Sequence, residues 1–359
     1  MFIFIAIMML MLYVFANVWV MNQFIQMYPG MKYIWLTLFF FLAGAALATM
    51  VIRNHAVIPW IGKVGNYYLA FLFLAIVFFS LTKWLPFPSF YLAIALILIT
   101  FLFGTIQAHR IQIVPYDLTI KKPLEHSMKV ALISDLHLGY VNDEKKLKTI
   151  VQKINDLAVD SVWIAGDIFD SNYYAIKNPD QIVNELNRLQ APLGVYGVWG
   201  NHDAGSSFEQ MKNLMDKTQV VMLEDEIINQ GAFQIGGRLD ARPIGDQGKK
   251  RKLIQDEINE QSNELPLFIL DHQPSKLDEY DEKVDLVVAG HTHKGQIWPF
   301  GWITKKMFEV DYGHKTTQKG TQVVVSSGVG FWGPPIRIAT KSEIVILTIN
   351  KGENEYVAR

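Results

Sequence analysis

No aspartate or glutamate occurs in the first 110 residues of this 359-residue chain, and only five lysines or arginines do: Lys32, Arg53, Lys63, Lys83 and Arg110. A stretch that long without a carboxylate has little to offer water. It holds four apolar runs, about 2–20, 34–52, 67–87 and 90–108, each near the ~20 residues that a helix needs to cross the hydrocarbon core of a bilayer. Tyr28, Tyr33, Trp60, Tyr67, Tyr68 and Trp84 flank them, as interfacial aromatics do. The first run is not expected to be a secretory leader, because it lacks a basic start and a small-residue cleavage site, and three more runs follow. Residues 1–110 therefore read as an all-α transmembrane region of four spans.

Lysine and arginine near the span ends set the expected orientation. Arg53 and Lys63 follow the second span, and Arg110, Lys121 and Lys122 follow the fourth, whereas the other two loops carry only Lys32 and Lys83. Five against two places the amino terminus, the second loop and the rest of the chain on the cytoplasmic side of a cell membrane. The spans contain no carboxylate and few polar residues (Asn17, Asn22, Thr37, Thr49, Ser80 and Thr100). An ion path is ordinarily marked by charged intramembrane groups, so transport is not expected.

All 34 acidic residues lie beyond Arg110, with the other 28 of the 33 basic ones, which leaves residues 111–359 at about −6. No basic stripe stands out to neutralise phosphates, and a nucleic-acid partner is not expected. A segment of this length suffices for one enzyme domain with a sizeable core. Cysteine is absent, which excludes disulfides, thiolate metal sites and cysteine nucleophiles.

Within 111–359, apolar runs at 111–120, 128–134, 161–165, 194–199, 267–270, 284–289, 323–326 and 343–349 read as strands. Helical spacing of Leu147, Ile150, Val151, Ile154 and Leu157 follows a cap at Asn142, and a second helix is expected over 181–189. Strands alternating with helices, then strands mostly alone, describe an α/β sandwich of stacked sheets with outer helices. Five polar blocks sit at strand ends: Asp135-Leu136-His137, Gly166-Asp167, Gly200-Asn201-His202-Asp203, Asp271-His272 and Gly290-His291-Thr292-His293. Ligands of α/β sheets gather just beyond the carboxyl ends of strands.

Carboxylate, imidazole and amide oxygen suit divalent Mn, Fe or Zn. So many buried charges would repel one another unless cations compensated them. Two adjacent ions need one shared carboxylate, and Asp167, turning tightly after a glycine, is the natural bridge. Asp135 and His137 are expected to alternate along an extended segment and so point to one side, a spacing that His291 and His293 repeat. Asn201 adds a neutral oxygen. His202, next to it, is placed to stabilise the transition state or protonate a leaving oxygen, with Asp203 holding its imidazole.

These blocks resemble the calcineurin-like metallophosphoesterase superfamily, whose pattern is Asp-x-His, Gly-Asp-x-x-Asp, Gly-Asn-His-Asp/Glu, a lone His and Gly-His-x-His; the match runs over about 128–350. The resemblance implies a four-layer α-β-β-α sandwich and two divalent metal ions. Asp135, His137, Asp167 and His293 would hold one ion, and Asp167, Asn201, His272 and His291 the other. His202 would be catalytic, and a hydroxide bridging the ions would attack a phosphodiester or pyrophosphate. The forms Asp271-His272-Gln273-Pro274, Gly290 to Gln296, Ser327-Gly328-Val329-Gly330 and Pro335-Ile336-Arg337 narrow the resemblance to the membrane-associated bacterial branch of YkuE- and YaeI-like phosphodiesterases. Relatives there include enzymes that cleave the pyrophosphate of UDP-diacylglucosamine.

Lys294 stands where that branch usually has glycine; it either extends into solvent or adds charge near a phosphate. Arg337 either holds a phosphate or makes an edge-strand ion pair, and both residues are candidates for substrate binding. Asp170 is expected to support its loop. Trp298, Phe300, Trp302, Phe331 and Trp332 read as ordinary loop packing, with an apolar lip for a lipid-like substrate or a membrane contact as the alternative. His55, His109, His126 and His314 lack a motif context and read as surface or interfacial residues. The expected partners are a membrane and a phosphoester, lipid-linked given the tether, with soluble nucleotides or small phosphodiesters as the alternative; no protein partner is identifiable. A non-catalytic metal-binding scaffold is disfavoured, because His202 and every matched ligand are present.

Overall fold

The computed structural model describes residues 2–52, 57–85, 89–244 and 248–351; Arg53, His55 and the end of the third apolar run at Phe87 lie outside them. Two compact units divide the chain, residues 1–106 with 333–336, and residues 107–332 with 337–359.

The first contains helices α1 (Phe2–Met27), α2 (Lys32–Val51), α3 (Ile58–Thr82) and α4 (Ser89–His109). All four are long and apolar enough to cross a membrane. Hydrocarbon offers polar groups no partners, and several find theirs within the unit. The Tyr13 hydroxyl donates to Ala43 O (3.0 Å), Asn17 Nδ2 to Tyr13 O (2.8 Å), and the Tyr68 hydroxyl to Asn17 Oδ1. Helices α2 and α3 come together where Gly65 meets the Ala46 backbone with no room for a β-carbon, the close approach that small residues permit. Helix α3 begins at Ile58, ahead of the expected 67. Lys63 and Asn66 interrupt the apolar run but not the helix, because Asn66 Nδ2 folds back onto Gly62 O (2.8 Å).

The second unit has strands β1 (Ile111–Ile120), β2 (Met128–Ile133), β3 (Ser161–Ala165), β4 (Val195–Val198), β5 (Val221–Met222), β6 (Glu226–Asn229), β7 (Gln234–Gly237), β8 (Leu267–Leu270), β9 (Leu286–Ala289), β10 (Gly313–Thr316), β11 (Gln322–Val325) and β12 (Ser342–Lys351). Its helices are α5 (Glu144–Asp156), α6 (Pro179–Leu186), α7 (Phe208–Met215), α8 (Gln255–Glu260) and α9 (Gly301–Met307). One sheet runs β1-β12-β2-β3-β4-β5 and the other β10-β11-β9-β8-β7-β6.

Period-two alternation assigns the faces. Val130, Leu132, Trp163 and Ala165 of the first sheet join Phe268, Leu270, Leu286 and Val288 of the second in one buried cluster between the sheets. The alternate residues Ala131, Ile133, Val162 and Ile164 pack instead with Leu147, Ile150, Ile182, Leu186 and Met211 of α5, α6 and α7. On the far side, Leu267, Ile269, Val287 and Ala289 pack with Ile258 of α8. The layers are α-β-β-α, as the sequence pattern and the resemblance lead one to expect. Details differ. Asp143 rather than Asn142 caps α5, accepting from the backbone N–H groups of Lys145 and Lys146 (both 3.2 Å). Asn142 instead donates to His137 O (3.2 Å) and Phe331 O (2.9 Å).

Strands β2, β3 and β4 are mutually parallel, as are β8, β9 and β11. Asp135, Asp167, Asn201, His272 and His291 each follow such a strand within three residues. Both sheets thus deliver their polar blocks at the carboxyl ends of parallel strands.

Candidate metal centre

The strand ladder continues into the ligand loops. Asp135 N–H donates to Gly166 O and His137 N–H to Asp167 O, both at 3.0 Å. The second sheet is tied in by His291 N–H, which lies 3.1 and 3.2 Å from the two Asp135 carboxylate oxygens. Asp135, His137, Asp167, His291 and His293 all have left-handed backbone, with φ of 53, 44, 50, 71 and 48°. That corrects the expectation of extended Asp-x-His and His-x-His segments: the side chains converge because each ligand is turned, at an energetic cost that functional sites characteristically carry. Glycine is required alongside. A β-carbon on Gly200 would run into Asp167, and one on Gly290 into the Asp135 carboxylate and Ser134.

Two clusters form around Asp135 and Asp167, Asp135 with His137 and His293, and Asp167 with His272 and His291, each with one donor atom per residue within 4.8 Å of the others; His137, Asp170 and His202 make a third such group at the edge. His137 Nε2 lies 3.1 Å from His293 Nε2, and His293 Nε2 lies 3.5 Å from Asp135 Oδ1. Asp167 Oδ2 stands between the clusters, 3.2 Å from His272 Nε2 and 3.7 Å from His137 Nε2. Asn201 Oδ1 is 3.2 Å from His272 Nε2. All seven metal-ligand residues expected from the sequence are brought together.

Burial lowers His137 to about 3 and His291 to about 4, and pushes His293 well below its ordinary value. These rings are therefore neutral, the form a metal ligand takes. Burial opposes charge on His272 as well, but the Asp167 and Asp135 carboxylates raise it well above the ordinary range. Burial likewise opposes ionisation of Asp167, yet the His272, His137 and His202 imidazoles hold it well below the carboxylate range. No lysine or arginine forms an ion pair with Asp135 or Asp167 among the described residues. Carboxylates packed against imidazoles, three of them neutral and His272 drawn toward the charged form by carboxylates that a cation would satisfy instead, with an amide oxygen and no thiolate, fit a pair of divalent cations.

His202 sits at the edge, its side chain 22 % exposed. Its backbone N–H donates to Asp167 Oδ1 (2.8 Å), and its ring packs edge-on to His137 at 4.9 Å. Its orienting partner is not Asp203. His202 Nδ1 meets Ser171 Oγ at 2.8 Å, with Asp170 Oδ1 at 4.0 Å. Asp170 also lies 3.8 Å from His137 Nδ1; burial and Asp167 raise it to about 7. Asp203 is wholly buried and accepts three backbone N–H groups, from Gly200 (2.7 Å), Phe169 (2.8 Å) and Ile168 (3.2 Å). It buckles the Asn201 loop to the Asp167 loop. Asp203→Ala should therefore act on stability, orphaning buried donors at about 1–3 kcal/mol each. A lowered thermal midpoint is expected; an unchanged midpoint with slower turnover would restore the orienting role.

Two further expectations are corrected. Arg337 is fully buried and unable to meet a phosphate: Nη2 donates to Ser327 O and Gly330 O (both 2.7 Å) and lies 3.3 Å from His293 Nδ1. It knits the 327–330 loop behind a ligand. Lys294 is half-buried, and its Nζ lies 4.0 Å above the Tyr312 ring instead of extending free of the surface. Asp271 likewise serves its neighbour, held by both Arg251 nitrogens (2.9 Å each) and the Tyr280 hydroxyl (2.7 Å) so that His272 is fixed.

The exposed cation at the centre is one the sequence did not single out. Arg242 Nη1 lies 3.5 Å from Asn201 O. Its backbone N–H is held by Asp240 Oδ1 (2.7 Å), which also accepts from Gln273 Nε2 (3.0 Å), next to His272. The available signal was position: Asp240 follows β7 just as the ligands follow their strands, but without a histidine beside it.

Residues 128–295 match the family model for calcineurin-like phosphoesterase. An uncharacterized metallophosphoesterase of Aquifex aeolicus is 32% identical over 238 residues, 64% of this chain and 88% of that protein. The Bacillus subtilis metallophosphoesterase YkuE is 28% identical over 226 residues, 62% of this chain and 78% of that one. A zebrafish (Danio rerio) transmembrane protein with metallophosphoesterase domain is 27% identical over 255 residues, 67% of this chain and 57% of that one. This chain spans 60% of the length of the Helicobacter pylori metallophosphoesterases that it matches at 31% identity. Four of its helices are long and apolar enough to cross a bilayer. By its buried histidine–aspartate clusters and by its identity across most of the Aquifex protein, the chain belongs to the calcineurin-like metallophosphoesterases.

Proposed function

We propose that this chain is a membrane-anchored dimetal phosphoesterase, with residues 1–110 as the anchor and 111–359 as the hydrolase, cleaving a phosphodiester or pyrophosphate bond. The observation that carries this is one carboxylate, Asp167, standing within 3.7 Å of both imidazole clusters. Asp135, His137, Asp167 and His293 would hold one divalent ion, and Asp167, Asn201, His272 and His291 the second. Such a pair, when bound, stabilises charge on phosphoryl oxygens and makes water a nucleophile at neutral pH.

The remaining work falls to the chain's own groups. Ser171 fixes the His202 ring through Nδ1, which leaves Nε2 to give a proton to the departing oxygen or stabilise its charge. Arg242 offers a charge-assisted hydrogen bond to a non-bridging oxygen. The anchor favours a lipid-linked or envelope-related substrate over a soluble nucleotide, which would need no anchor, and the five-to-two distribution of basic residues favours the cytoplasmic face.

Full-length protein in detergent with Mn should cleave an aryl phosphodiester, lose activity to a chelator and recover it on re-addition of metal. Arg242→Ala should raise KM roughly tenfold with kcat nearly unchanged, the mark of a contact made equally in ground and transition states. Metal-loaded wild-type protein that cleaves no phosphoester would sink the hydrolase. Digestion of the 111–359 domain by protease added to intact cells would reverse the orientation.

A further inference from the structure

Immediately after the His291–His293 block, the chain leaves its apolar side chains uncovered. Helix α9, Gly-Trp-Ile-Thr-Lys-Lys-Met, has no buried residue; Trp302 is 63 %, Ile303 54 % and Met307 69 % exposed. Trp298 and Phe300 before it are exposed too, as is Trp332 from a separate loop. Gln296 joins the two segments: its Nε2 donates to Trp332 O (2.9 Å) and its Oε1 accepts from Trp332 N–H (3.0 Å). The Trp298 and Trp302 rings pack edge to face at 5.7 Å, and Trp332 lies 5.6 Å from the His202 ring. The expectation of ordinary loop packing is corrected for these residues, Phe331 excepted, which is buried.

One apolar lip therefore adjoins the metal centre. With large aromatics contributing ~150–250 Å² each, the uncovered area is on the order of 600 Å², the top of the range that soluble monomers leave open. A short helix gains its stability from packing an apolar face, and among the described residues none of the side chains of α9 is buried.

We propose that this lip is a membrane-docking face, with the indoles and Ile303 and Met307 entering the lipid–water boundary and Lys305 and Lys306 meeting anionic headgroups. Three features select a lipid surface. Indole is the side chain that prefers this boundary, apolar in its body and a donor at one edge. Lys305 and Lys306 close α9 and form no ion pair among the described residues, so their charge is available to phosphate. A chain carrying four spans is already confined to a bilayer, so docking costs little further translational freedom. The consequence for substrate, that the phosphorus attacked is one presented at a membrane surface, rests on the hydrolase proposed above; the docking does not.

Because the chain has no cysteine, Ile303→Cys creates a single labelling position in the full-length protein. A bimane label there, in vesicles of phosphatidylcholine and phosphatidylglycerol with doxyl-labelled acyl chains, should show blue-shifted, strongly quenched emission. The same label at Asn263→Cys, on the exposed segment before β8 at the opposite end of the sheet, should show neither. Adding Trp302→Asp should return the Ile303→Cys label to the level of the Asn263→Cys label. A label at Ile303→Cys that is reached by aqueous iodide and spared by doxyl lipid would overturn the proposal. Shielding from both quenchers would overturn it as well, by assigning the lip to a second copy or another protein. Aryl phosphodiester turnover of the labelled protein in detergent reads the hydrolase separately, so the two failures are distinguishable.

Discussion

Asp167→Asn is expected to strip both metal ions at once and lower kcat/KM by at least about 10³, roughly 4 kcal/mol of transition-state stabilisation. Its carboxylate is the group that both clusters approach, through His272 Nε2 at 3.2 Å and His137 Nε2 at 3.7 Å. Its other oxygen accepts the His202 N–H at 2.8 Å, a bond that the Asn amide oxygen can keep, so one substitution removes negative charge from two ion sites. Asn is nearly isosteric and keeps an acceptor oxygen, which isolates charge from shape. Asp135→Asn is the control. The imidazole rings paired with Asp135 are those of His293 and His137, and it meets His291 through the backbone N–H rather than the ring, so that variant should lose one ion and keep the other. Metal content by mass spectrometry, near zero for Asp167→Asn and near one for Asp135→Asn, checks the assignment directly. Two ions retained by Asp167→Asn would remove Asp167 as the bridge.

The ligand set was legible in sequence because its chemistry and its topology coincide. A carboxylate or imidazole at the end of an apolar run marks a strand end in an α/β sheet, and five such marks in order leave few alternative architectures. How the ligands are aimed was not legible. Left-handed backbone at Asp135, His137, Asp167, His291 and His293 contradicts local preference, and only surrounding hydrogen bonds such as His137 N–H to Asp167 O impose it. Pairing of β1 with β12 along all ten residues of each is likewise invisible to any window on the sequence, because the partners are more than two hundred residues apart.

Adjacency in sequence does not make polar residues spatial partners. Asp203 follows His202, yet a tight turn points their side chains apart, and the partner that meets the ring is Ser171, on the loop beyond β3. The chemistry of Arg337 alone suits a phosphate; burial among three backbone carbonyls decides against it. A surface arginine in a loop, as Arg242 is, carries no signal of its own in sequence. The apolar run from 67 marks only part of the helix from Ile58, because a polar residue within reach of its own helix's carbonyl, as Asn66 is, does not end one.

His202→Ala should lower kcat by about 10²–10⁴, the range of a positioned proton donor, and leave both ions bound. His202 stands outside the two clusters joined by Asp167; it belongs to the edge group with His137 and Asp170, and its ring is tied to Ser171. Removing it deletes no ligand from either. The size of the loss should depend on the leaving group. A nitrophenolate departs as a stable anion and needs little proton transfer, so His202→Ala should be mild there; an alkoxide leaving group needs the proton and should show the full loss. Ser171→Ala should follow the same pattern at smaller amplitude, since it frees the ring without removing it, and KM should hardly move in either variant. An equal loss for both leaving groups would assign His202 to stabilising phosphoryl charge instead of protonating the leaving oxygen. Loss of metal from His202→Ala would place its ring among the ligands, and the division between metal-holding and proton-donating imidazoles would then have to be redrawn.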